Sequence, residues 1–404
     1  MSILHKYHTF FSQYKTPFYF YDTNLLKQTL AEIKKSSSVN NYHVHYALKA
    51  NTNDTLLNII KEAGFGADCV SGNEVKKAVE LGFGAGKIVF AGVGKSDDEI
   101  NYALQQNIFC FNCESIPEIE VINELAKQQN KVAQIALRIN PNIDAQTHKY
   151  ITTGLEENKF GINFHELTDV LGVLKNCTNL KLIGLHFHIG SQITDLNPFK
   201  NLCTRVNEIQ QWFQQRGYQL PHLNVGGGLG INYNKPDEES ICDFDAFFSV
   251  FKKFLYVQPN QQIHFELGRA VVAQCGSLIS RVLYIKKGTN TNFVILDAGM
   301  TELIRPALYQ AYHKIEKIQD LRFKIQEDKT LDFKPQTFRY DVVGPICESS
   351  DCFGKAVELP ETLRGDIMAI RSAGAYGEVM SSQYNLRDKV KSYFDVELKS
   401  GSSV

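Results

Sequence analysis

Lys49 ends the run Tyr46-Ala-Leu-Lys-Ala-Asn51, and a lysine at the end of an apolar strand can be desolvated, kept neutral, and so attack a carbonyl carbon. A solvated lysine is the plain alternative, because most lysines lie on the surface. Three further groups bear on the choice. In Asn224-Val-Gly-Gly-Gly-Leu-Gly230 the successive glycines Gly226, Gly227 and Gly228 let backbone N–H groups close on an anion such as a phosphate. The same triplet also suits a tight turn that needs positive φ. His186-Phe-His188-Ile-Gly-Ser-Gln192 sets two histidines on one face of a regular strand, with Ser191 just beyond. His264-Phe-Glu-Leu-Gly-Arg269 supplies a carboxylate, Glu266, and a guanidinium, Arg269, which form an ion pair or serve a ligand.

A flat cofactor carrying an aldehyde and a phosphate uses all of these groups. Glu266 then keeps a pyridine nitrogen protonated, which makes the ring an electron sink for a carbanion. The paired histidines also admit a metal, the more so because His43 and His45 form a second His-x-His, as in metal-dependent amidohydrolase barrels. Against the metal, the later carboxylate and histidine ligands such a site needs are not evident, and His43, His45 and His186 are each expected to be ordinary strand or interior histidines. No metal is therefore expected. A dinucleotide fingerprint is excluded by the glycine spacing and by its place after a late strand.

Strand-like runs recur at intervals that leave room for a helix: His43 to Leu48, Ala67 to Ser71, Ile88 to Ala91, Phe109 to Asn112, Ala133 to Asn140, Leu182 to Ile189, Leu223 to Val225 and Ile263 to Leu267. Ser71 with Glu74, Ser96 with Glu99, and Ser115 with Glu118 read as Ser-x-x-Glu capping boxes. Helical patterns run through Thr55 to Ala63, Phe199 to Arg216 and Phe244 to Tyr256. Eight such units predict an α/β chain with a (β/α)8 TIM-like barrel, whose active site gathers at the C-terminal strand ends, where Lys49, His188, Ser191, the glycines, Glu266 and Arg269 fall. A doubly wound open sheet is the alternative. Beyond Gln274 the runs Ser277 to Lys286, Phe293 to Asp297, Arg339 to Val343 and Asp366 to Arg371 predict a C-terminal all-β domain, which the strand-like Thr16 to Tyr21 can join. The expected organisation is an N-terminal segment over 1–22 packing with the β domain, a cofactor-binding barrel over 23–275 and the β domain over 276–404, with Lys314 to Lys334 a surface excursion.

The 404 residues hold 43 basic and 44 acidic side chains, a balance with no general pull toward nucleic acid or anionic lipid. No apolar run approaches the ~20 residues of a membrane span, and the first residues lack a signal-peptide pattern, so a cytoplasmic enzyme is expected. Nine cysteines lack metal-ligand spacings and read mostly as small buried hydrophobes.

Taken in order, Tyr46-Ala-Leu-Lys49-Ala-Asn, Asn158-Lys-Phe-Gly161, His188-Ile-Gly-Ser-Gln192, Gly226-Gly-Gly, Glu266-Leu-Gly-Arg269, Arg305-Pro-Ala-Leu-Tyr309, Gly344-Pro-Ile-Cys347-Glu348-Ser-Ser-Asp351 and Gly374-Ala-Tyr376-Gly span nearly the whole chain. This series resembles the alanine-racemase-like barrel family of pyridoxal-phosphate enzymes and, within it, the diaminopimelate decarboxylases. The resemblance implies pyridoxal 5'-phosphate as cofactor, with Lys49 on its aldehyde, His188 stacked on the ring and Glu266 at the ring nitrogen. Ser191, Gly226 to Gly228 and Tyr376 would hold the phosphate, with Gly268 and Arg269 also in the cofactor site. Arg269, Arg305, Tyr309 and Tyr376 would meet substrate, Glu348 would lie near its amino group, and Cys347 would return a proton after carbon dioxide departs. The implied reaction is decarboxylation of meso-diaminopimelate to L-lysine, the last step of lysine biosynthesis, in a homodimer whose Cys347-Glu348 loop enters the partner's site.

Two positions depart from the family pattern: Leu267 stands where proline is usual, and Asn224 where aspartate is common. Other family activities differ at particular residues. A racemase would place an arginine at the ring nitrogen, and ornithine or arginine decarboxylases typically carry aspartate where this chain has Glu348. Carboxynorspermidine decarboxylase, acting on another carboxylated amine, is the nearest alternative. A non-catalytic decarboxylase-like binding protein would be expected to have lost the lysine, the phosphate loop or the cysteine loop, and all are present.

Overall fold

The computed structural model describes residues 3–143, 159–319 and 336–395. The chain divides into two compact units, Gln28–Gly230 with Cys242–Val271, and Met1–Lys27 with Ile231–Ile241 and Val272–Val404. The segment Ile231–Ile241, inside the range expected for the barrel, thus belongs to the other unit. Chain order runs through sixteen strands and eleven α-helices among the described residues: α1 (His8–Gln13), β1 (Phe18–Tyr21), α2 (Thr23–Ser38), β2 (Tyr42–Ala47), α3 (Asp54–Glu62), β3 (Gly66–Cys69), α4 (Gly72–Glu80), β4 (Ile88–Phe90), α5 (Asp97–Gln106), β5 (Cys110–Cys113), α6 (Ile116–Gln128), β6 (Ala133–Arg138), α7 (Leu167–Leu174), β7 (Leu180–His186), α8 (Asn197–Gln214), β8 (His222–Asn224), α9 (Phe244–Phe254), β9 (Gln262–Leu267), α10 (Arg269–Val272), β10 (Gly276–Lys287), β11 (Asn292–Leu296), α11 (Arg305–Tyr309), β12 (Ile315–Ile318), β13 (Thr337–Val343), β14 (Cys352–Pro360), β15 (Ile367–Ile370) and β16 (Lys391–Phe394).

Strands β2 to β9 form a closed parallel barrel. Closure rests on β9 pairing with β2, with His43 opposite His264 and His45 opposite Glu266, and this excludes the open sheet. All eight barrel strands lie where the sequence predicts them, with ends differing by a few residues. Alternation along each strand sorts the residues. Phe265 packs outward on Phe247, Phe248 and Phe251 of α9, while its neighbours His264 and Glu266 bond other strands across the interior. Each buried phenylalanine contributes about 2–3 kcal/mol relative to an exposed one. An apolar layer therefore sits between this strand and its helix, while the inward positions of the barrel carry polar groups beside a small buried cluster of Val89, Cys110, Ala136 and Ile183.

The helix starts refine the expected caps. Ser96 and Glu99 make a full capping box. Ser71 and Ser115 also accept from the backbone N–H of Glu74 and Glu118, but those two glutamates reach one residue further back, accepting from Val70 N at 2.7 Å and Glu114 N at 2.7 Å. The donor they meet belongs to the strand exit, so each carboxylate ties a strand end to the following helix.

Below the rim the barrel holds a histidine ladder. His45 Nδ1 lies 3.1 Å from the Lys87 carbonyl, His45 Nε2 lies 3.0 Å from His264 Nδ1, and His264 Nε2 lies 3.1 Å from His222 Nδ1. A carbonyl only accepts, so one proton order satisfies the chain: each histidine donates from Nδ1. Burial, outweighing the nearby Glu266 charge, pushes His45 down to about 4. Burial and then the other histidines push His264 down to about 2. The ladder is neutral, and His43 stacks on His264 at 5.0 Å.

The second unit is an eight-stranded sheet in the order β12-β15-β10-β11-β13-β14, with β1 pairing β10 antiparallel and β16 in parallel. The N-terminal strand thus joins this sheet. Phe10 and Phe11 of α1 pack with Phe18, Phe20, Ile279, Ile318 and Ile367 in one core. The Lys314 to Lys334 stretch, expected as an excursion, begins with β12, whose Ile315 and Ile318 are buried; residues 320–334 lie outside the described residues. Strands β14 and β16 were not legible because charged and turn residues interrupt their apolar pattern.

Candidate active site

Lys49 lies in the 3-10 turn Leu48–Ala50 that follows β2. Its Nζ is 3.9 Å from Asp68 Oδ2, which sits on β3 with a side chain 1% exposed. Among the described residues, both Asp68 oxygens lack a hydrogen-bond partner. Burial, then the Glu266 charge, raises the Asp68 carboxyl to about 8, although Lys49 pulls the other way.

Glu266, near the end of β9, is fixed on three sides. Its Oε2 lies 3.0 Å from His186 Nε2, and its Oε1 accepts from Asn224 Nδ2 at 2.7 Å and Asn112 Nδ2 at 3.3 Å. Burial alone would raise its pKa. The His186 ring, the hydrogen bond from it and the Lys49 charge outweigh that and hold the carboxyl below the usual range. His186, expected as a strand or interior histidine, is buried at the end of β7 and partners this carboxylate. Asn224 bridges two features, because its Oδ1 also accepts from Gly226 N at 2.9 Å. An amide does both; an ionised aspartate could not donate to Glu266. Leu267, where proline is usual, is a buried end residue of β9 paired opposite Tyr46.

The glycine loop is demanded by close backbone packing. A Cβ on Gly226 would lie 2.2 Å from the Phe187 carbonyl, on Gly227 1.7 Å from the Glu266 carbonyl, and on Gly228 2.5 Å from the Gly190 carbonyl. Gly226 and Gly228 also have φ of +72° and +104°. Ile193 N donates to Gly228 O and Gly230 N to Ile193 O, both at 2.9 Å, so this loop is bonded to the one bearing Ser191. Arg269 Nη2 donates to Ser191 Oγ at 3.1 Å. Gly227 N donates to His188 Nδ1 at 3.4 Å, which fixes the ring whose pKa burial and then Lys49 push well down. Gly268 gives room to the Lys49 turn: its Cβ would meet Ala50 at 3.1 Å and Ala47 at 3.2 Å.

Lys49, His188, Ser191, Gly226, Gly227, Gly228, Glu266, Gly268 and Arg269 thus converge on one barrel rim. Sequence reading missed Asp68, Asn112, Glu114 and Arg138. Arg138 Nη1 donates to Glu114 Oε1 at 2.8 Å, and the two Glu114 oxygens accept from Gly92 N and Gly161 N. The legible signal was a polar residue inside an otherwise apolar strand, as in Gly66-Ala-Asp-Cys69. Asn158 of the quoted motif lies outside the described residues.

The remaining expected site residues lie in the sheet unit. Arg305 and Tyr309 are on α11, with Arg305 buried. Cys347 and Glu348 are exposed between β13 and β14. Asp351 shapes that turn, accepting from Met300 N at 2.6 Å and Ile346 N at 2.7 Å. Cys347 N donates to Asn385 Oδ1 at 3.3 Å, and Tyr384 donates to Glu348 at 2.7 Å. Tyr376 holds φ at +57°, a left-handed conformation costly for a side chain of its size.

Among the described residues no group of three or more His, Cys, Asp or Glu could hold a metal ion, and no helix is long and apolar enough to cross a membrane. The barrel rim does fit pyridoxal phosphate: an amine for the aldehyde, a buried anionic carboxylate for a protonated ring nitrogen, an imidazole for the ring face, and glycine and serine loops bonded together for the phosphate.

A family model described as "Pyridoxal-dependent decarboxylase, pyridoxal binding domain" matches residues 25–273. The chain is 56% identical over 389 residues to a diaminopimelate decarboxylase of Bacteroides thetaiotaomicron, covering 96% of this chain and 97% of that protein. It is 42% identical over 384 residues to one from Helicobacter pylori, covering 95% and 91%. The crystal structure of a Helicobacter pylori diaminopimelate decarboxylase complexed with L-lysine matches with a TM-score of 0.87 at 40% identity, covering 96% of this chain and 93% of that one. The chain belongs to the diaminopimelate decarboxylases, a family of pyridoxal-dependent decarboxylases.

Proposed function

We propose that this chain decarboxylates meso-diaminopimelate to L-lysine and carbon dioxide, acting as a homodimeric cytoplasmic enzyme with shared sites. The observation that carries the reading is the buried, charge-stabilised Glu266 carboxylate on the same rim as Lys49. Pyridoxal phosphate, when bound, supplies the electron sink that takes up the electron pair left at the substrate α-carbon.

The protein's own groups do the rest. Lys49, whose Nζ lies 3.9 Å from Asp68 Oδ2, provides the amine that the cofactor aldehyde requires. Glu266 keeps a proton at the ring nitrogen because His186, Asn224 and Asn112 hold it as an acceptor. Ser191, Gly226 to Gly228 and Tyr376 bind phosphate. His188 would hold the ring. Arg269, Arg305 and Tyr309 bind substrate carboxylates, and Glu348 binds the distal amine. The Cys347 thiol returns a proton from Sγ to the carbon that lost carbon dioxide.

Purified protein loaded with pyridoxal phosphate and offered meso-diaminopimelate, ornithine and carboxynorspermidine together is expected to yield L-lysine as the main product by mass. Preferred turnover of either competitor overturns the substrate. The shared site predicts that Lys49→Ala and Cys347→Ala, each inactive, regain about a quarter of wild-type turnover when mixed and re-dimerised, since hybrid dimers hold one intact site. No recovery in a verified hybrid removes the shared site.

A further inference from the structure

Arg305 begins the short helix α11 and is buried. Its Nη1 donates to the Tyr233 hydroxyl at 2.9 Å and to His313 Nε2 at 2.8 Å. Those two bonds use both hydrogens of that nitrogen, and so fix the plane of the guanidinium. His313, 2% exposed, has its Nδ1 2.8 Å from the Arg371 carbonyl. A carbonyl only accepts, so Nδ1 carries the proton and Nε2 presents a lone pair to Arg305. The contact therefore requires neutral histidine in one tautomer.

The supports are themselves anchored. Arg371 donates to Glu316 at 2.6 Å and to Asp237 at 2.7 Å. Asp237 and Tyr233 share the segment Ile231–Ile241, whose backbone carbonyls at Asn232 and Glu239 accept from Gln274 Nε2 at 3.0 and 3.2 Å. Tyr233 and His313 also pack edge to face, with ring centroids 5.1 Å apart at 78°. The circuit runs from Arg305 through Tyr233 and its segment to Asp237, Arg371 and His313, and back to Arg305. The Tyr233 hydroxyl and His313 Nε2 are uncharged acceptors, so these two contacts orient the guanidinium without neutralising it.

We propose that Tyr233 and His313 are positioning residues that aim Arg305 at the carboxylate on the far end of the substrate, and so select a substrate that carries one there; this rests on the reading of Arg305 as a substrate-carboxylate contact. Neither residue touches the reacting carbon in this account. Both act through Arg305.

The test uses the cofactor-loaded enzyme and two competing product-like amines. L-Lysine keeps the far carboxylate, and 1,5-diaminopentane is the same molecule without it. Tyr233→Phe removes one hydroxyl, and is expected to raise KM for meso-diaminopimelate and the inhibition constant of L-lysine by about 3- to 10-fold, the worth of one hydrogen bond. kcat and the inhibition constant of 1,5-diaminopentane should move less than about twofold, because the lost bond does not reach them. His313→Leu should match Tyr233→Phe, while His313→Gln, which keeps an acceptor at the same reach, should restore most of the loss. Should one of these fail to fold, the other position gives the same comparison. Combined with Arg305→Lys, neither change should add a further penalty, since non-additivity marks a shared path. If Arg305→Lys leaves L-lysine binding unchanged, the reading of Arg305 fails. If Arg305→Lys weakens L-lysine while Tyr233→Phe and both His313 variants do not, or if all weaken both amines equally, the positioning role is overturned.

Discussion

Gly227→Ala isolates the contact on which the rim depends. An added Cβ would lie 1.7 Å from the Glu266 carbonyl oxygen and 2.8 Å from its carbon. No flexible side chain can yield there, because both atoms are backbone. Reaching even 3.0 Å requires the loop and β9 to separate by about 1.3 Å, more than a packed interior absorbs without loss. The bond from Glu266 N to Gly226 O, now 2.9 Å, would stretch past its useful range. Overpacking of this kind costs about 1–3 kcal/mol, and losing a buried hydrogen bond adds about 1 kcal/mol. The same movement shifts Glu266 and the phosphate loop together, so cofactor affinity should fall by about 100-fold or more. Gly84→Ala is the control, because nothing lies within 4 Å of its Cβ and its φ is ordinary. Thermal melts of cofactor-free protein, with titration of pyridoxal phosphate followed by absorbance, measure both effects. If Gly227→Ala melts within about 1 °C of the Gly84→Ala control and binds cofactor as tightly, the close-approach reasoning is wrong.

Two further outcomes follow from the buried titrating groups. His264 is held down to about 2 by burial and its histidine neighbours, whereas in the unfolded chain it takes a proton near 6.5. The unfolded state binds more protons through that window, so the group's stability is complete above about pH 6.5 and is lost as pH falls, by about 2 kcal/mol at pH 5. Denaturant midpoints at pH 7.5 and 5 should show this loss in wild type and a smaller one in His264→Asn; equal losses contradict the ladder's role. Asp68, raised to about 8 by burial and Glu266, has the opposite sign. Its unfolded carboxyl ionises near 4 while the folded one keeps its proton, so its burial costs stability that grows as pH rises from about 4 to 8. Asp68→Asn should therefore stabilise cofactor-free protein at pH 7.5 by about 1–3 kcal/mol, with the gain shrinking toward pH 4. A less stable variant at pH 7.5 would count against this.

Cys347→Ala should keep the absorbance of bound pyridoxal phosphate while slowing turnover by about 100-fold or more, because the role proposed for the thiol is on substrate rather than in holding the cofactor. Loss of the absorbance band, or unchanged turnover, would remove that role.

Periodicity and motif order in the sequence were enough to locate the barrel strands, the rim positions of Lys49, His188 and Glu266, and the sheet that follows. Those features depend on local alternation and on residue types that few other chemistries need in that order. The chain alone did not reveal that His186 serves Glu266, because that bond joins residues eighty positions apart. Nor did it separate a turn from a phosphate cradle at Gly226 to Gly228. Only the tertiary structure shows the close packing that demands glycine there, with backbone just beyond β7 and from β9 pressing on the loop. Asp68, Asn112 and Arg138 became site residues only when the barrel closed and turned one face of each strand inward. Tyr233 joined the Arg305 circuit because Ile231–Ile241 leaves the barrel for the sheet unit, a grouping set by long-range contacts that no local pattern encodes.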